Sequence, residues 1–396
     1  MEKAVIIDAI RTPIGRYGGS LKDVRPDDLG ALVVRSLIER NEFPLEEMED
    51  IYFGAANQSG EDNRNVARMI GLLADLPESV GGVTVNRLCG SSLDAVNQAA
   101  KSIMCGEGDI FIAGGVESMT RAPFVTAKNT RAYDRKVETY DTTMGWRFVN
   151  EKLSEKHYPY SMIETADNVA EKYQVSREEQ DQFALESQLR AKKAMELNKL
   201  KDEIVPVEVK NRTGTTIVDV DEHPRPDSSL EKISQLKSIY PKGTVTAANA
   251  SGINDGASAV LVMSETRAKE LGLTPMAYIE SFAVAGVDPA IMGIGPVPAT
   301  RKALKRANIT TEDLDLIELN EAFAAQSLAC IKELSLDTEK VNVNGGSIAY
   351  GHPLGASGAR ILTTLLHEMQ RRNVEYGLAT MCIGVGQGIA TVVKKY

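Results

Sequence analysis

Cysteine is scarce in this chain of 396 residues: Cys89, Cys105, Cys330 and Cys382 are the only four, and none forms a Cys-x-x-Cys pair. That spacing argues against a disulfide framework or a zinc ribbon and fits free thiols in a cytoplasmic compartment. Histidine is as rare, with four, and tryptophan occurs once. No apolar run is long enough to span a bilayer, and Ala4-Val-Ile-Ile-Asp8, following Met1-Glu2-Lys3, is too short for a secretory signal and reads as a first strand. Basic residues are outnumbered, 45 Lys and Arg against 55 Asp and Glu, for a net charge of -10. The balance argues against nucleic acid and anionic membranes as partners, and favours small molecules and other subunits.

What is present is ordinary globular material, 43% hydrophobic and 25% charged, long enough for two or three domains with large cores. Apolar runs such as Ile110-Phe-Ile-Ala113 and Leu378-Ala-Thr-Met381 end in glycine-rich turns, with helical patterns between many such runs. This is an α/β pattern with covered sheets. One helix is expected after Cys89, with Leu93, Val96, Ala99, Ala100 and Ile103 on one face; another follows Gly358, carrying Ile361, Leu362, Leu365 and Met369. Cys105 and Cys330 fall in helical patterns and are expected in the core.

The two halves echo each other. Leu32-Val-Val-Arg-Ser-Leu-Ile-Glu-Arg-Asn41 resembles Ala299-Thr-Arg-Lys-Ala-Leu-Lys-Arg-Ala-Asn308, and Met48-Glu-Asp-Ile51 resembles Leu314-Asp-Leu-Ile317. The helix-then-strand order recurs about 267 residues on, as a duplicated architecture requires. From Thr120 to Thr246 the chain is richer in charge and aromatics, with Tyr133, Tyr140, Trp146, Tyr158 and Tyr160, then a polar helix near Glu178 to Leu197. This reads as an insertion that forms either a substrate cleft or an oligomer arm.

Four segments carry candidate chemistry. Val83-Thr-Val-Asn-Arg-Leu-Cys89-Gly-Ser-Ser-Leu93 is a strand, a tight turn and a helix, so the Cys89 thiol sits at a helix N-terminus that favours a thiolate; a buried structural thiol is the alternative. Asn342-Val-Asn-Gly-Gly-Ser-Ile-Ala-Tyr-Gly-His352-Pro-Leu-Gly-Ala-Ser-Gly358 places a histidine in a loop whose glycines allow close approach to a ligand. Such a group deprotonates a thiol or donates to an oxyanion, unless it is merely solvated. His157, His223 and His367 lack comparable surroundings. Thr380-Met-Cys382-Ile-Gly384-Val-Gly-Gln-Gly388 puts a second thiol at the end of an apolar strand, before a nest of N–H groups suited to an oxyanion. Leu316-Ile-Glu-Leu-Asn320-Glu-Ala-Phe323 is another strand-to-helix junction, where Asn320 either caps the helix or orients a catalytic water.

Taken together, Asn-Arg-Leu-Cys89-Gly-Ser-Ser, Asn320-Glu-Ala-Phe, Gly-His352-Pro-Leu-Gly-Ala-Ser-Gly and Met-Cys382-Ile-Gly384 resemble the thiolase family, in order and across nearly the full length. The resemblance implies two similar α/β halves stacked as a five-layer αβαβα core: residues 1–119 with 247–272 as the N-terminal half, 120–246 as an inserted loop domain, and 273–396 as the C-terminal half. It implies that Cys89 carries the acyl group as a thioester, activated by His352, and that Cys382 moves the proton on the acetyl carbon. Asn320, through a water, and His352 would stabilise one oxyanion; the N–H groups of Cys89 and Gly384 would stabilise the other. The implied reaction is thiolysis of a 3-oxoacyl-CoA or, in reverse, Claisen condensation of acetyl-CoA, with no metal or redox cofactor. For the coenzyme A cleft the resemblance points to Met162, Arg225, Ala247, Ser251, Met292 and Phe323, with Arg225 at the nucleotide end, and for assembly to a homotetramer or homodimer.

Where many acetoacetyl-CoA-forming thiolases carry His-Met, this chain has Ser161-Met162. Arg16-Tyr-Gly-Gly19, Gly60-Glu-Asp-Asn-Arg-Asn-Val-Ala-Arg68, Asp141-Thr-Thr-Met-Gly-Trp-Arg-Phe-Val-Asn150 and Ser161-Met-Ile-Glu-Thr-Ala166 look closer to the 3-oxoadipyl-CoA branch of aromatic degradation, with Ile163 in place of that branch's usual proline. Acetyl-CoA acetyltransfer and fatty-acid thiolysis are the neighbouring expectations. Two rivals stand beside them: a condensing synthase, which typically uses Cys-His-His, and a non-catalytic acyl-CoA-binding protein on the same scaffold.

Overall fold

The computed structural model describes residues 2–211 and 214–396. The first half runs β1 (Ala4–Arg11), β2 (Gly15–Arg16), α1 (Pro26–Arg40), β3 (Met48–Gly54), α2 (Val66–Leu73), β4 (Val83–Val85), α3 (Ser91–Cys105) and β5 (Ile110–Ser118). Two small hairpins, β6 (Phe124–Thr126) with β7 (Thr139–Asp141) and β8 (Val207–Asn211) with β9 (Gly214–Val218), then alternate with α4 (Glu151–Lys156), α5 (Met162–Tyr173), α6 (Arg177–Glu196) and α7 (Leu230–Ser234). The chain returns to the main sheet as β10 (Asn254–Ser264), followed by α8 (Glu265–Glu270). The rest is β11 (Ala277–Gly286), α9 (Pro296–Ala307), β12 (Leu316–Leu319), α10 (Ala324–Leu334), α11 (Ser347–Tyr350), α12 (Ser357–Arg372), β13 (Tyr376–Ile383) and β14 (Gln387–Lys395).

The sheet order makes the duplication explicit. Outward from the centre, β1-β10-β5-β3 mirrors β11-β14-β13-β12, and in each set the pairings run antiparallel, antiparallel, parallel. The halves are joined by short antiparallel pairing of Val5 and Ile6 with Tyr278 and Ala277. The helices α1 and α9, which carry the echoed sequences, occupy equivalent positions and end at Asn41 and Asn308.

Three apolar cores alternate with the two sheet halves. Val5, Ile7 and Ile10 of β1 face α1 and α2, whereas Ala4, Ile6 and Ala9 face the middle layer of α3 and α12. In β13 and β14, Met381, Ile389 and Val393 face that same layer, and Leu378, Ala390 and Val392 face α9 and α10. Strand alternation thus feeds a different core on each face, giving the αβαβα order. Each fully buried Leu or Ile contributes about 1.5–3 kcal/mol relative to exposure. The expected stripes on α3 and α12 are buried there, Leu93, Val96, Ala100 and Ile103 against Ile361, Leu362, Leu365 and Met369.

Two expectations fail locally. The glycines after Ala113 do not end the strand, because β5 runs through Gly114 and Gly115 to Ser118. A Cβ on Gly114 would meet Ser258 O at 2.2 Å, and one on Gly115 would meet Gly355 O at 2.0 Å, so these glycines serve close packing rather than a turn. Cys330 is in the core, but Cys105 is exposed, as the last residue of α3 before the left-handed Gly106 cap and off the buried stripe.

The first turns of α3 and α12 touch. Ser92 Oγ accepts the Ala359 N–H at 2.9 Å, and a Cβ on Gly358 would lie 2.5 Å from Leu93 N. Replacing Gly358 by Ala should therefore destabilise the fold by about 1–3 kcal/mol. Urea unfolding checks this, and an unchanged midpoint would contradict the close approach.

Candidate active site

Local backbone conformation delivers Cys89 to the end of β13. Leu88 before it holds a left-handed backbone, φ 46°, and Val385 beside Gly384 does the same at φ 62°. For non-glycine residues, and a β-branched one above all, such positions cost about 1–3 kcal/mol each and mark functional turns. Gly90 closes the approach, since a Cβ there would sit 2.6 Å from Ile383 Cδ1. Cys89 and Gly384 consequently share a cavity of about 380 Å³ with Met162 and Leu354, and the Gly384 N–H is directed at the Cys89 thiol.

Cys89 keeps part of its surface open to this cavity, yet its sulfur is enclosed enough that burial pushes the thiol up to about 11. The hydrogen bonds from Gly384 N–H and its own N–H act the other way and do not offset burial, and Glu117 adds a smaller rise. The helix N-terminus alone had suggested a lowered thiol. Cys382 is buried and held well above the ordinary thiol value by desolvation, with the neighbouring Cys89 and then Cys330 adding to it.

His352 and Asn320 are both buried and face each other, His352 Nε2 lying 3.5 Å from Asn320 Nδ2. The hydrogen-bond network assigns their orientations. Ser357 Oγ donates to Pro353 O at 2.8 Å, so it accepts the proton of His352 Nδ1 at 2.6 Å, leaving a lone pair on Nε2. Arg360 donates to Ser347 Oγ, which donates to Asn320 Oδ1 at 2.6 Å, and the Asn320 amide nitrogen is thereby turned toward His352. Burial, and then the Arg360 charge, lower the His352 imidazole to about 3, so it is neutral at pH 7. Asn254, unremarked in the sequence, accepts the His352 backbone N–H at 3.0 Å, and Gly351, at φ 102°, leaves no room there for a Cβ.

The residues expected around coenzyme A fall into three places. Met162 starts α5 and lines the Cys89 cavity; Ser161 before it caps that helix reciprocally with Glu164, which accounts for a serine at this position. Met292 and Phe323 are buried with Cys382 and Ala166, with Met162 packed against them. Arg225 and Ala247 line a second cavity of about 420 Å³ with Arg16, His223 and Lys232. Ser251 links the segments, its N–H bonding Ala322 O at 2.9 Å. Burial, with Arg16 and Arg225, brings His223 down to about 4, and its ring contacts Asn254 at 3.2 Å.

Glu117 is a further residue the motifs did not flag. Its carboxylate accepts the N–H groups of Ala56 at 2.9 Å, Gly355 at 2.8 Å and Asn57 at 3.2 Å, and burial raises it to about 7. The available signal was an acidic residue ending an apolar strand.

Comparison with known proteins gives the family. The thiolase N-terminal domain matches residues 4–266 and the thiolase C-terminal domain matches 273–395. The chain belongs to the thiolase family. It is an acyltransferase, acting in thiolysis of 3-oxoacyl thioesters of coenzyme A or in the reverse condensation. Similar thiolases include the β-ketoadipyl-CoA thiolase of Escherichia coli, 56% identical over 400 residues with both chains fully covered, and that of Pseudomonas aeruginosa, 54% identical over 98% of each. Among solved structures, the acetyl-CoA acetyltransferase of Bacillus anthracis aligns with a TM-score of 0.94 at 42% identity, covering 100% of this chain and 99% of that one. Human mitochondrial 3-ketoacyl-CoA thiolase in complex with CoA aligns at 0.93 and 40% identity, covering 100% and 98%.

A thiol raised by burial reacts faster as pH rises, because more of it is thiolate. Alkylation of the Cys89 peptide by iodoacetamide, followed by mass spectrometry, should accelerate about tenfold per pH unit from pH 6 to pH 9 without levelling. A plateau below pH 8 would mean the thiolate is already present at rest.

Proposed function

We propose that this thiolase cleaves a short dicarboxylic 3-oxoacyl-CoA of the 3-oxoadipyl type, with Cys89, His352, Cys382, Asn320 and the Gly384 N–H as its catalytic groups. The observation that carries the assignment of groups is that Cys89 and Gly384 line one cavity, while the loop entering the helix packed against that of Cys89 brings His352 Nε2 to 3.5 Å from Asn320 Nδ2. Full-length relatives named β-ketoadipyl-CoA thiolase support the choice of acyl chain.

In cleavage, Cys89 Sγ attacks the 3-keto carbon as His352 Nε2 takes the thiol proton. A thiol and an imidazole that are both neutral at rest make transfer concurrent with attack, rather than preceded by a resting ion pair. The N–H groups of Cys89 and Gly384 receive the oxyanion of the acyl unit held on Cys89. When the bond to the α-carbon breaks, its electron pair becomes the enolate of acetyl-CoA, stabilised by His352 and by an Asn320-held water. Cys382 then gives that carbon a proton. In the second half, free coenzyme A passes its thiol proton to the Cys382 thiolate and attacks the acyl thioester; Cys89 leaves and recovers the proton from His352. All three groups return to their starting states. Arg16, Arg225 and Lys232 in the second cavity suit the phosphates of coenzyme A.

The chain is further read as a cytoplasmic homodimer or homotetramer, divided at 1–119 with 247–272, 120–246 and 273–396. Light scattering that gives a monomer would refute the assembly.

Three outcomes are expected. Comparing kcat/KM for acetoacetyl-CoA, longer 3-oxoacyl-CoAs and 3-oxoadipyl-CoA should show a preference for the last, and its absence would refute the substrate. Cys382→Ser should lower turnover by about 100-fold or more while Cys89 still takes an acetyl label from acetyl-CoA. Ser357→Ala, which frees the His352 ring to change tautomer, should lower kcat about tenfold or more with the melting temperature little changed; an unaltered kcat would remove Ser357 from the mechanism.

A further inference from the structure

The cavity beside Cys89 is lined partly by a segment that none of the catalytic groups occupies. Residues Thr142 to Arg147, from the insertion, complete its wall together with Asn57. Among the described lining residues Arg147 is the one cation and Glu117 the one carboxyl. Both Glu117 oxygens are taken up by backbone N–H groups, so Glu117 is not the counter-charge of Arg147.

The Arg147 guanidinium is held by one end only. Its Nη2 donates to Asn57 O at 3.4 Å, Asn57 Oδ1 at 3.3 Å and Ser59 Oγ at 3.4 Å, all neutral acceptors at long range. Asn57 is itself fixed: its Nδ2 donates to Thr142 O and Oγ1, both at 3.1 Å, which turns Oδ1 toward Arg147. Arg147 Nε and Nη1 donate to none of the described residues. A partly buried cation with two open donors in a reaction cavity is set up for an anion, and the planar fork matches a carboxylate. The cations proposed for the phosphates of coenzyme A lie elsewhere, in the cavity of Arg16, Arg225 and Lys232.

We propose that Arg147 is a specificity-determining residue that receives the distal carboxylate of the acyl chain. This rests on the reading that Cys89 takes the acyl group in this cavity. A six-carbon dicarboxylic chain attacked at its 3-keto carbon leaves a four-carbon acyl unit on Cys89, whose free carboxylate points away from sulfur into the same enclosed space. A monocarboxylic chain of equal length ends there in a methyl group, which offers the open donors of the guanidinium no acceptor.

The test measures kcat/KM on 3-oxoadipyl-CoA and on 3-oxohexanoyl-CoA, equal in chain length but ending in methyl, for the full-length wild type, Arg147→Met and Arg147→Lys. Arg147→Met should lower the dicarboxylic value about 30- to 100-fold, the effect of a charge-assisted pair, and change the methyl-ended value less than about threefold. Arg147→Lys, with the charge but not the fork, should fall between. Because the ratio of the two substrates is read on the same enzyme, a general folding defect cancels. Equal losses on both substrates, or a dicarboxylic preference that survives in Arg147→Met, would overturn the role of Arg147 while leaving the substrate reading intact. A wild type indifferent to the distal carboxylate would overturn the substrate reading, and this inference with it.

Discussion

The contact between the first turns of α3 and α12, at the centre of the molecule, is the constraint on which the rest of the structure depends. Helices that approach this closely tolerate only small residues, and here Gly358 lies against Leu93 while Ser92 receives the Ala359 N–H. The neighbouring strands conform, with Gly54 of β3 under Ser92 and Gly115 of β5 under Gly355. Each helix is entered from a loop that carries a group proposed for the chemistry, Cys89 into α3 and His352 into α12. Packing for stability and convergence of the chemistry are thus one event, and the two-fold echo of the halves supplies both loops from equivalent places.

Around that contact the chain buries polar groups at real cost. Arg360 is almost fully enclosed, its Nε lacks a partner among the described residues, and burial lowers its affinity for a proton even with Glu318 nearby. Such a charge is poor value for stability alone. Its return is orientation: through Ser347 it decides which end of the Asn320 amide faces His352, as Ser357 decides which nitrogen of His352 is free. Buried polar chains of this kind fix one arrangement because every alternative leaves a donor or acceptor unpaired.

The insertion is tied to this frame rather than tethered loosely beside it. Arg11 of β1 bonds Glu203 at 2.7 Å and Asp221 at 2.7 and 2.9 Å, all buried, and Ser187 of α6 joins Glu321 at 2.7 Å to the Gly346 N–H at 3.0 Å. A firmly seated insertion can carry residues such as Met162 and Arg147 to the Cys89 cavity with fixed aim, which is what discrimination between acyl chains demands.

The sequence by itself determined the α/β class, the duplicated helix and strand, and the buried stripes of α3 and α12, and it pointed to the four segments proposed to hold the reactive groups. These are local matters, written in hydrophobic period, glycine placement and motif. It misread Gly114 and Gly115 as a turn and Cys105 as core, since a glycine needed for a turn and one needed for close packing look alike until the neighbour is known. It also pointed to a lowered Cys89 thiol, because a helix N-terminus is visible in sequence and burial is not. Glu117, Asn254 and Arg360 carried no motif, and Ser357 lay within one without a role of its own. Their roles arise from partners up to 238 residues away, as in the Glu117 bond to Gly355. Only the tertiary structure decided the protonation, tautomer and orientation of the groups at the site, because desolvation and hydrogen-bond pairing are properties of what the chain surrounds a residue with.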